Sequence, residues 1–234
     1  MKKYQALFFD LDHTLWDFEV NSAEAISELF ENYQLKKFGI PDAGTFMNVY
    51  REVNKIMWDE YHRNVISKES LRFGRFSKAL ATFSVKDDML AEKMSVEYLE
   101  ICPHKTNLFP GTLEVLEYLH EKFSMHIITN GFKEVQYLKI HKSGLEKYFD
   151  HIHISEEIGF KKPEPEIFEY AVRQARTVSD NCIMIGDNLD TDVKGAVNAG
   201  IDHVLFNPDK IVHNEKVMHE IHNLTELKAI LIKE

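Results

Sequence analysis

The sequence predicts an α/β protein: a three-layer, Rossmann-like core around a central parallel sheet, with a helical-bundle cap inserted after the first strand. Three observations predict it. Short continuous apolar runs alternate with helical patterns along most of the chain. Strands covered on both faces read as such runs, and strands alternating with helices build parallel sheets with right-handed crossovers. One interval, roughly 16–107, breaks that rhythm and is far too long for a loop in a compact domain. The length, 234 residues, suits one domain carrying a sizeable insert.

The first strand is Ala6-Leu7-Phe8-Phe9. The insert follows it and reads as about four helices packed as a small bundle. Ala23, Ile26, Phe30 and Tyr33 mark one apolar face. Phe46, Val49, Tyr50, Val53, Ile56 and Met57 mark a second, and Leu71, Phe76, Leu80 and Phe83 a third, all at helical spacing. Gly39-Ile40-Pro41-Asp42 punctuates the insert, with Pro41 ending one helix and Asp42 capping the next. Further strands are expected at Met125–Ile128, His151–Ile154, Cys182–Ile185 and His203–Phe206. Helices are expected near 112–122, 133–142, 165–176 and 190–199, then a last strand near 217–221 and a helix near 225–232. The expected division is a core of 1–15 and 108–234 around a cap of 16–107.

Composition narrows the function. Hydrophobic residues are 44% and charged residues 28%, as in a protein with a buried core. Lys and Arg number 28 against 38 Asp and Glu, a net charge of −10. Binding to nucleic-acid polymers or anionic membranes needs a basic face, so neither is expected. A small anion held by one or two local cations fits. Cys102 and Cys182 form no CxxC, which argues against a disulfide framework or thiolate zinc site and points to a cytoplasmic setting. Met1-Lys2-Lys3 resembles the start of a signal peptide, but Asp10 interrupts the apolar run too early. No apolar stretch is long enough to span a membrane.

Four strand ends carry the candidate chemistry, and open parallel sheets bind ligands at the carboxyl ends of their strands. The first is Asp10-Leu11-Asp12-His13-Thr14. Of two carboxylates one residue apart, one can attack an electrophile or hold a hard cation while the other moves a proton. The plainer reading is a polar cap on the next turn. The second is Thr129-Asn130-Gly131, able to form a small anion cup or an ordinary turn. The third is Lys161-Lys162-Pro163-Glu164-Pro165, where Pro163 restrains Lys162 as a point charge for a phosphate, unless the pair is simply solvated. The fourth is Gly186-Asp187-Asn188-Leu189-Asp190-Thr191-Asp192, an acidic cluster suited to Mg²⁺. Asp190 is the one assigned to capping the following helix. His151 and His153 share one strand face and read as structural rather than as a metal pair.

Together, in this order, these elements resemble the four motifs of the haloacid dehalogenase superfamily of phosphohydrolases, over the whole chain and with a helical cap after the first motif. Asn54-Lys55-Ile56-Met57-Trp58, Arg75-Phe76, Thr129-Asn130-Gly131-Phe132 and Ile154-Ser155-Glu156-Glu157-Ile158-Gly159 further resemble its pyrimidine 5′-nucleotidase branch. The resemblance implies a Mg²⁺-dependent phosphomonoesterase working through an aspartyl-phosphate. It makes Asp10 the nucleophile and Asp12 the general acid and base. It has Thr129, Asn130 and Lys162 holding the phosphoryl oxygens. Mg²⁺ would lie on the Asp10 carboxylate, the Asp12 main-chain carbonyl and Asp187, with Asp192 orienting Lys162 or a metal-bound water and Thr14 bracing the turn. Asn54, Trp58 and Arg75 are candidate cap contacts to substrate. Trp58, Tyr61 and Phe76 stand open between a base-stacking shelf and cap core.

The partner implied is a small phosphorylated metabolite, a nucleoside monophosphate, acted on by a monomer or weak dimer. Alternatives are a broad-range or phosphosugar phosphatase and a phosphomutase on the same core. A receiver-like phosphoacceptor has its aspartate after the third strand and no cap. A carbon–halogen hydrolase needs neither Mg²⁺ nor an acid at position 12.

Overall fold

The computed structural model describes residues 4–232. The Met1-Lys2-Lys3 start lies outside them. The chain divides into two compact units: Glu19–Lys105 is one, and the residues before and after it, to Phe18 and from Thr106, form the other.

The flanking unit is the predicted parallel α/β core. Its strands are β1 (Ala6–Phe9), β2 (Ser124–Thr129), β3 (His151–Ile154), β4 (Cys182–Gly186), β5 (Asp202–Phe206) and β6 (His219–Ile221). They form one sheet in the order β3-β2-β1-β4-β5-β6, every neighbouring pair parallel. The register sets Phe9 beside Ile127 on one side and Ile185 on the other. The chain first builds outward from β1 to β3, then restarts on the far side of β1 with β4. That reversal opens a crevice at the carboxyl ends of β1 and β4, where α/β proteins bind ligands.

Both faces of the central strands β1 and β4 are dry, and those two strands are apolar throughout. Ala6, Phe8, Ile128, Cys182 and Met184 form one cluster with Ile167, Phe168, Ala171 and Val172 of a helix at Pro165–Gln174. Leu7, Phe9, Ile127, Ile183 and Ile185 alternate onto the other face and are fully buried.

The helical unit consists of α1 (Phe18–Asn32), α2 (Ala43–His62), α3 (Lys68–Thr82) and α4 (Asp88–Ile101). The last three begin at residues whose side chains accept main-chain N–H groups: Asp42 from Thr45 at 2.8 Å, Ser67 from Ser70 at 3.2 Å and Asp87 from Leu90 at 2.9 Å. At its centre Tyr50 lies 5.0 Å from Phe76 and 5.5 Å from Tyr98, ring centre to ring centre. The expected faces are rotated slightly. α1 buries Ala25, Ile26, Leu29 and Phe30, leaving Ala23 and Tyr33 half-buried. α2 buries Phe46, Met47, Tyr50, Asn54 and Met57, leaving Ile56 exposed. Pro41 does not end α1, which stops at Asn32.

Beyond the insert run α5 (Thr112–Leu119), α6 (Lys133–Lys142), α7 (Ser155–Ile158), α8 (Pro165–Gln174), α9 (Lys194–Asn198) and α10 (Leu227–Leu231). The helix expected near 190–199 is a π-helical turn, Leu189–Val193, leading into α9. Its cap is Asn188, not Asp190: the Asn188 side chain accepts the N–H groups of Asp190 at 2.9 Å and Thr191 at 3.1 Å. An asparagine there fixes the turn and adds no charge. Among the described residues no helix is long and apolar enough to cross a membrane.

Candidate active site

The turn after β1 is built on one carbonyl. The Leu11 oxygen accepts the N–H groups of Leu15 and Trp16, both at 2.9 Å, and the Asp10 N–H donates to Ile185 of β4 at 2.9 Å. Asp10 is thereby fixed at the crevice, almost fully buried. Its Oδ1 lies 2.5 Å from the ammonium of Lys162, itself 3% exposed. Lys162 lies 2.7 Å from Asp192 as well. Neither the long side chain nor its loop is left free. The Asn130 amide accepts the Lys162 N–H at 2.8 Å and donates to the Lys162 carbonyl at 2.9 Å. The structure thus engages both ends of Asn130 in seating Lys162.

Asp187, after β4, accepts the Thr14 hydroxyl at 3.2 Å. Carboxylate oxygens of Asp10, Asp187 and Asp192 all lie within 4.8 Å of one another. Burial, with the neighbouring carboxylates, pushes Asp10 and Asp187 up to about 8, although Lys162 opposes the rise at both. Burial works against the Lys162 ammonium, but Asp10 and Asp192 outweigh it and hold it above the usual lysine range. One lysine leaves three close carboxylates, Asp10 and Asp192 buried and Asp187 half-buried, short of positive charge. A divalent cation with hard oxygen preferences fits that deficit and that donor set.

Asp12 belongs to a different environment. Its carboxylate is turned to α6, where Lys139 lies 2.5 Å from Oδ1 and Gln136 donates to Oδ2 at 2.9 Å. Burial disfavours the Asp12 anion, but Lys139 and then Gln136 outweigh it and hold the carboxyl below its usual range. Sequence reasoning assigned neither residue. Both are polar residues on a predicted helix, which ordinarily marks a solvated face. Thr129 accepts the Gly131 N–H at 3.1 Å and donates to Gln136 Oε1 at 3.4 Å.

The other candidates belong to the helical unit or to β3. Asn54 and Arg75 meet within the helical unit, Arg75 Nη1 donating to Asn54 Oδ1 at 3.0 Å with both side chains buried. Trp58 packs edge-on against Tyr61 at 5.6 Å. Phe76 is fully buried in the interior of the helical unit. His151 and His153 stack with His126 at ring-centre distances of 5.4 and 5.3 Å. His126 Nδ1 and His153 Nε2 lie 3.2 Å apart and share a hydrogen bond, so these two rings satisfy each other as structural histidines do.

A family model described as haloacid dehalogenase-like hydrolase matches residues 4–200. The chain is 31% identical to the pyrimidine 5′-nucleotidase YjjG of Escherichia coli (strain K12), over 99% of each chain. It is 30% identical to the pyrimidine 5′-nucleotidase PynA of Streptococcus pneumoniae (strain ATCC BAA-255 / R6), over 98% of this chain and 96% of that one. The crystal structure of YfnB from Bacillus subtilis bound to magnesium superposes with a TM-score of 0.88 at 30% identity, over 98% of this chain and 99% of that one.

Proposed function

The chain belongs to the haloacid dehalogenase-like hydrolases, and from that premise we propose a Mg²⁺-dependent phosphomonoesterase that acts as a 5′-nucleotidase on pyrimidine nucleoside monophosphates such as dUMP, UMP and dTMP. The observation that carries the reading is the separation of two carboxylates of one turn: Asp10 faces Lys162 among other acids, while Asp12 faces Lys139 and Gln136. The two carboxyls therefore have separate partners: Asp10 stands among the acids with Lys162, the cluster that would meet a cation and a phosphate, and Asp12 stands outside that cluster to handle protons.

Asp10 attacks phosphorus in line and forms an aspartyl-phosphate as the nucleoside oxygen departs. Asp12 gives that oxygen a proton, then takes one from the water that hydrolyses the phosphoenzyme. Lys162 holds phosphoryl oxygens, with Thr129 beside it, and Asn130 and Asp192 keep the ammonium in place. Thr14 braces Asp187. The Asp10 and Asp187 carboxylates and the Asp12 main-chain carbonyl would hold Mg²⁺, with Asp192 adjoining. When bound, the ion lets carboxylate and phosphate approach each other and offsets the charge that develops. The helical unit, through Asn54, Trp58 and Arg75, is the proposed source of substrate choice. The relatives named as pyrimidine 5′-nucleotidases support the substrate class.

A comparison of kcat/KM for dUMP, dAMP and a hexose phosphate tests the reading. dUMP is expected to lead. A hexose phosphate that equals or exceeds it leaves a general phosphatase and removes the nucleotide assignment.

A further inference from the structure

We infer that Lys139 and Gln136 are positioning residues that fix the Asp12 carboxyl for proton transfer, an inference that rests on the general acid and base role proposed above for Asp12. Positions 136 and 139 are one helical turn apart, so both side chains of α6 project to the same side. They take one oxygen of Asp12 each: Lys139 at 2.5 Å from Oδ1, Gln136 at 2.9 Å from Oδ2. Two donors on two oxygens fix both the carboxyl plane and its rotation. A carboxylate has about four acceptor sites, so two remain for the proton it moves.

Each donor is itself held. Lys139 is 3% exposed, with its ammonium 4.0 Å from the centre of the Trp16 ring and 5.4 Å from that of Phe18. Aromatic faces stabilise a cation while keeping water from it. Gln136 is 1% exposed, and its carbonyl receives the Thr129 hydroxyl, which turns the amide NH₂ toward Asp12. Gly131 makes the space: a Cβ there would come to 2.0 Å from Gln136 Nε2.

Fold stability offers little reason for the arrangement. Burying a lysine against a carboxylate is no more stabilising than apolar packing of the same volume, because desolvation offsets the attraction. Proton transfer offers one. As the proton passes to the departing oxygen, the Asp12 carboxyl becomes a carboxylate. Donors already aimed at both oxygens keep the carboxyl in one orientation toward the departing oxygen and then the attacking water, with nothing left to reorganise.

The test is kcat/KM for dUMP and p-nitrophenyl phosphate with the wild-type protein, Lys139→Met, Lys139→Arg, Gln136→Leu and Asp12→Asn. This constant covers steps up to departure of the leaving group. The nucleoside alkoxide needs a proton to leave and p-nitrophenolate scarcely does. Lys139→Met should lower the constant for dUMP by about 100-fold and that for p-nitrophenyl phosphate by less than about 5-fold. Gln136→Leu should show a smaller split of the same sign, and Lys139→Arg should recover most of the dUMP activity. A reduced folded fraction or weaker metal binding would scale both substrates alike, so the ratio reads positioning even in a destabilised variant. If Asp12→Asn splits the substrates and Lys139→Met does not, the positioning role is wrong and the proposed function stands. If Asp12→Asn shows no split, or the wild-type protein hydrolyses neither ester, the general-acid reading fails and takes the positioning role with it.

Discussion

Asp192 occupies the space that a side chain at Gly186 would need: a Cβ at position 186 would lie 2.3 Å from Asp192 Oδ2. The last residue of β4 therefore has to be glycine for steric reasons. Only then can Asp192 lie 2.7 Å from Lys162 and accept the Asn188 N–H at 3.1 Å.

Gly186→Ala should accordingly act on the site more than on the fold. The methyl group displaces the Asp192 carboxylate, and Lys162 loses one of its two anionic partners. We expect kcat to fall by about 10- to 100-fold, since misplacing a group by about 1 Å has effects of that size. Steady-state rates with a thermal melt check this. A large fall in melting temperature with unchanged kcat would show that the glycine serves packing instead.

Asp10→Asn should abolish turnover, leaving no more than a few per cent of activity, without loss of stability. Asp10 is one of three mutually close carboxylates, and burial already disfavours its anion. Removing its charge relieves repulsion, and Lys162 keeps Asp192 as a partner. The melting temperature should hold or rise. Intact-protein mass after exposure to substrate should show no phosphoenzyme. Appreciable activity in this variant would assign the nucleophile elsewhere.

These two residues were legible in the sequence because β1 and β4 are unbroken apolar runs ending in acids. The strand ends, and so the crevice, followed from hydrophobicity alone. α6 was legible as an element, but its role was not. Its buried face is Gln136, Lys139 and Ile140, so its polar residues point inward and no apolar stripe announces that face. Asn130 was readable as a polar residue at a strand end. Its attachment to Lys162, 32 positions away, is set by tertiary structure. The rotation of the α1 and α2 faces has the same origin, since several apolar residues compete for each face.

Metal dependence should appear in stability as well as rate. A cation that binds only the folded chain raises its stability in proportion to the logarithm of concentration. Mg²⁺ should raise the melting temperature of the wild-type protein and do so much less in Asp187→Ala, which should also need far more Mg²⁺ for activity. Chelation should stop turnover. Full activity after exhaustive chelation would revive the metal-free dehalogenase chemistry.

The stacked histidines should make stability fall in mild acid. Burial, then the neighbouring imidazole His151, lowers His126 from 6.5 to about 4. Burial, then His126 and His151, lowers His153 from 6.5 to about 3. The unfolded chain binds these protons first, so the contribution is fully present above about pH 6.5 and is lost as pH falls toward 4 and 3. At pH 5, about 1.5 units below the unfolded value, the loss should be up to about 2 kcal/mol for each histidine and about 4 kcal/mol for the pair. Urea midpoints at pH 7.5 and 5.0 read it. His126→Phe with His153→Phe should flatten the difference, and an unchanged difference would assign it to other groups.

The last prediction concerns the helical unit, where two candidate substrate contacts separate. Arg75 is 3% exposed, bonded to Asn54, with its guanidinium 5.5 Å from the centre of the Tyr98 ring and 5.9 Å from that of Tyr50. Its Nε has no hydrogen-bond partner among the described residues. Arg75→Met would remove a buried cation that aromatic faces only partly compensate, so it changes the packing of the helical unit and any substrate contact together. Trp58 gives the cleaner test. It is half-buried, packed edge-on against Tyr61, and its indole is large enough to stack a base. Base stacking is worth roughly 1–3 kcal/mol, or about 5- to 150-fold in kcat/KM. Trp58→Ala should therefore lower kcat/KM for dUMP by a factor in that range and for p-nitrophenyl phosphate by much less, because the latter has no nucleobase to place. Equal losses on both substrates would make Trp58 part of the packing of the helical unit and move base recognition to other residues.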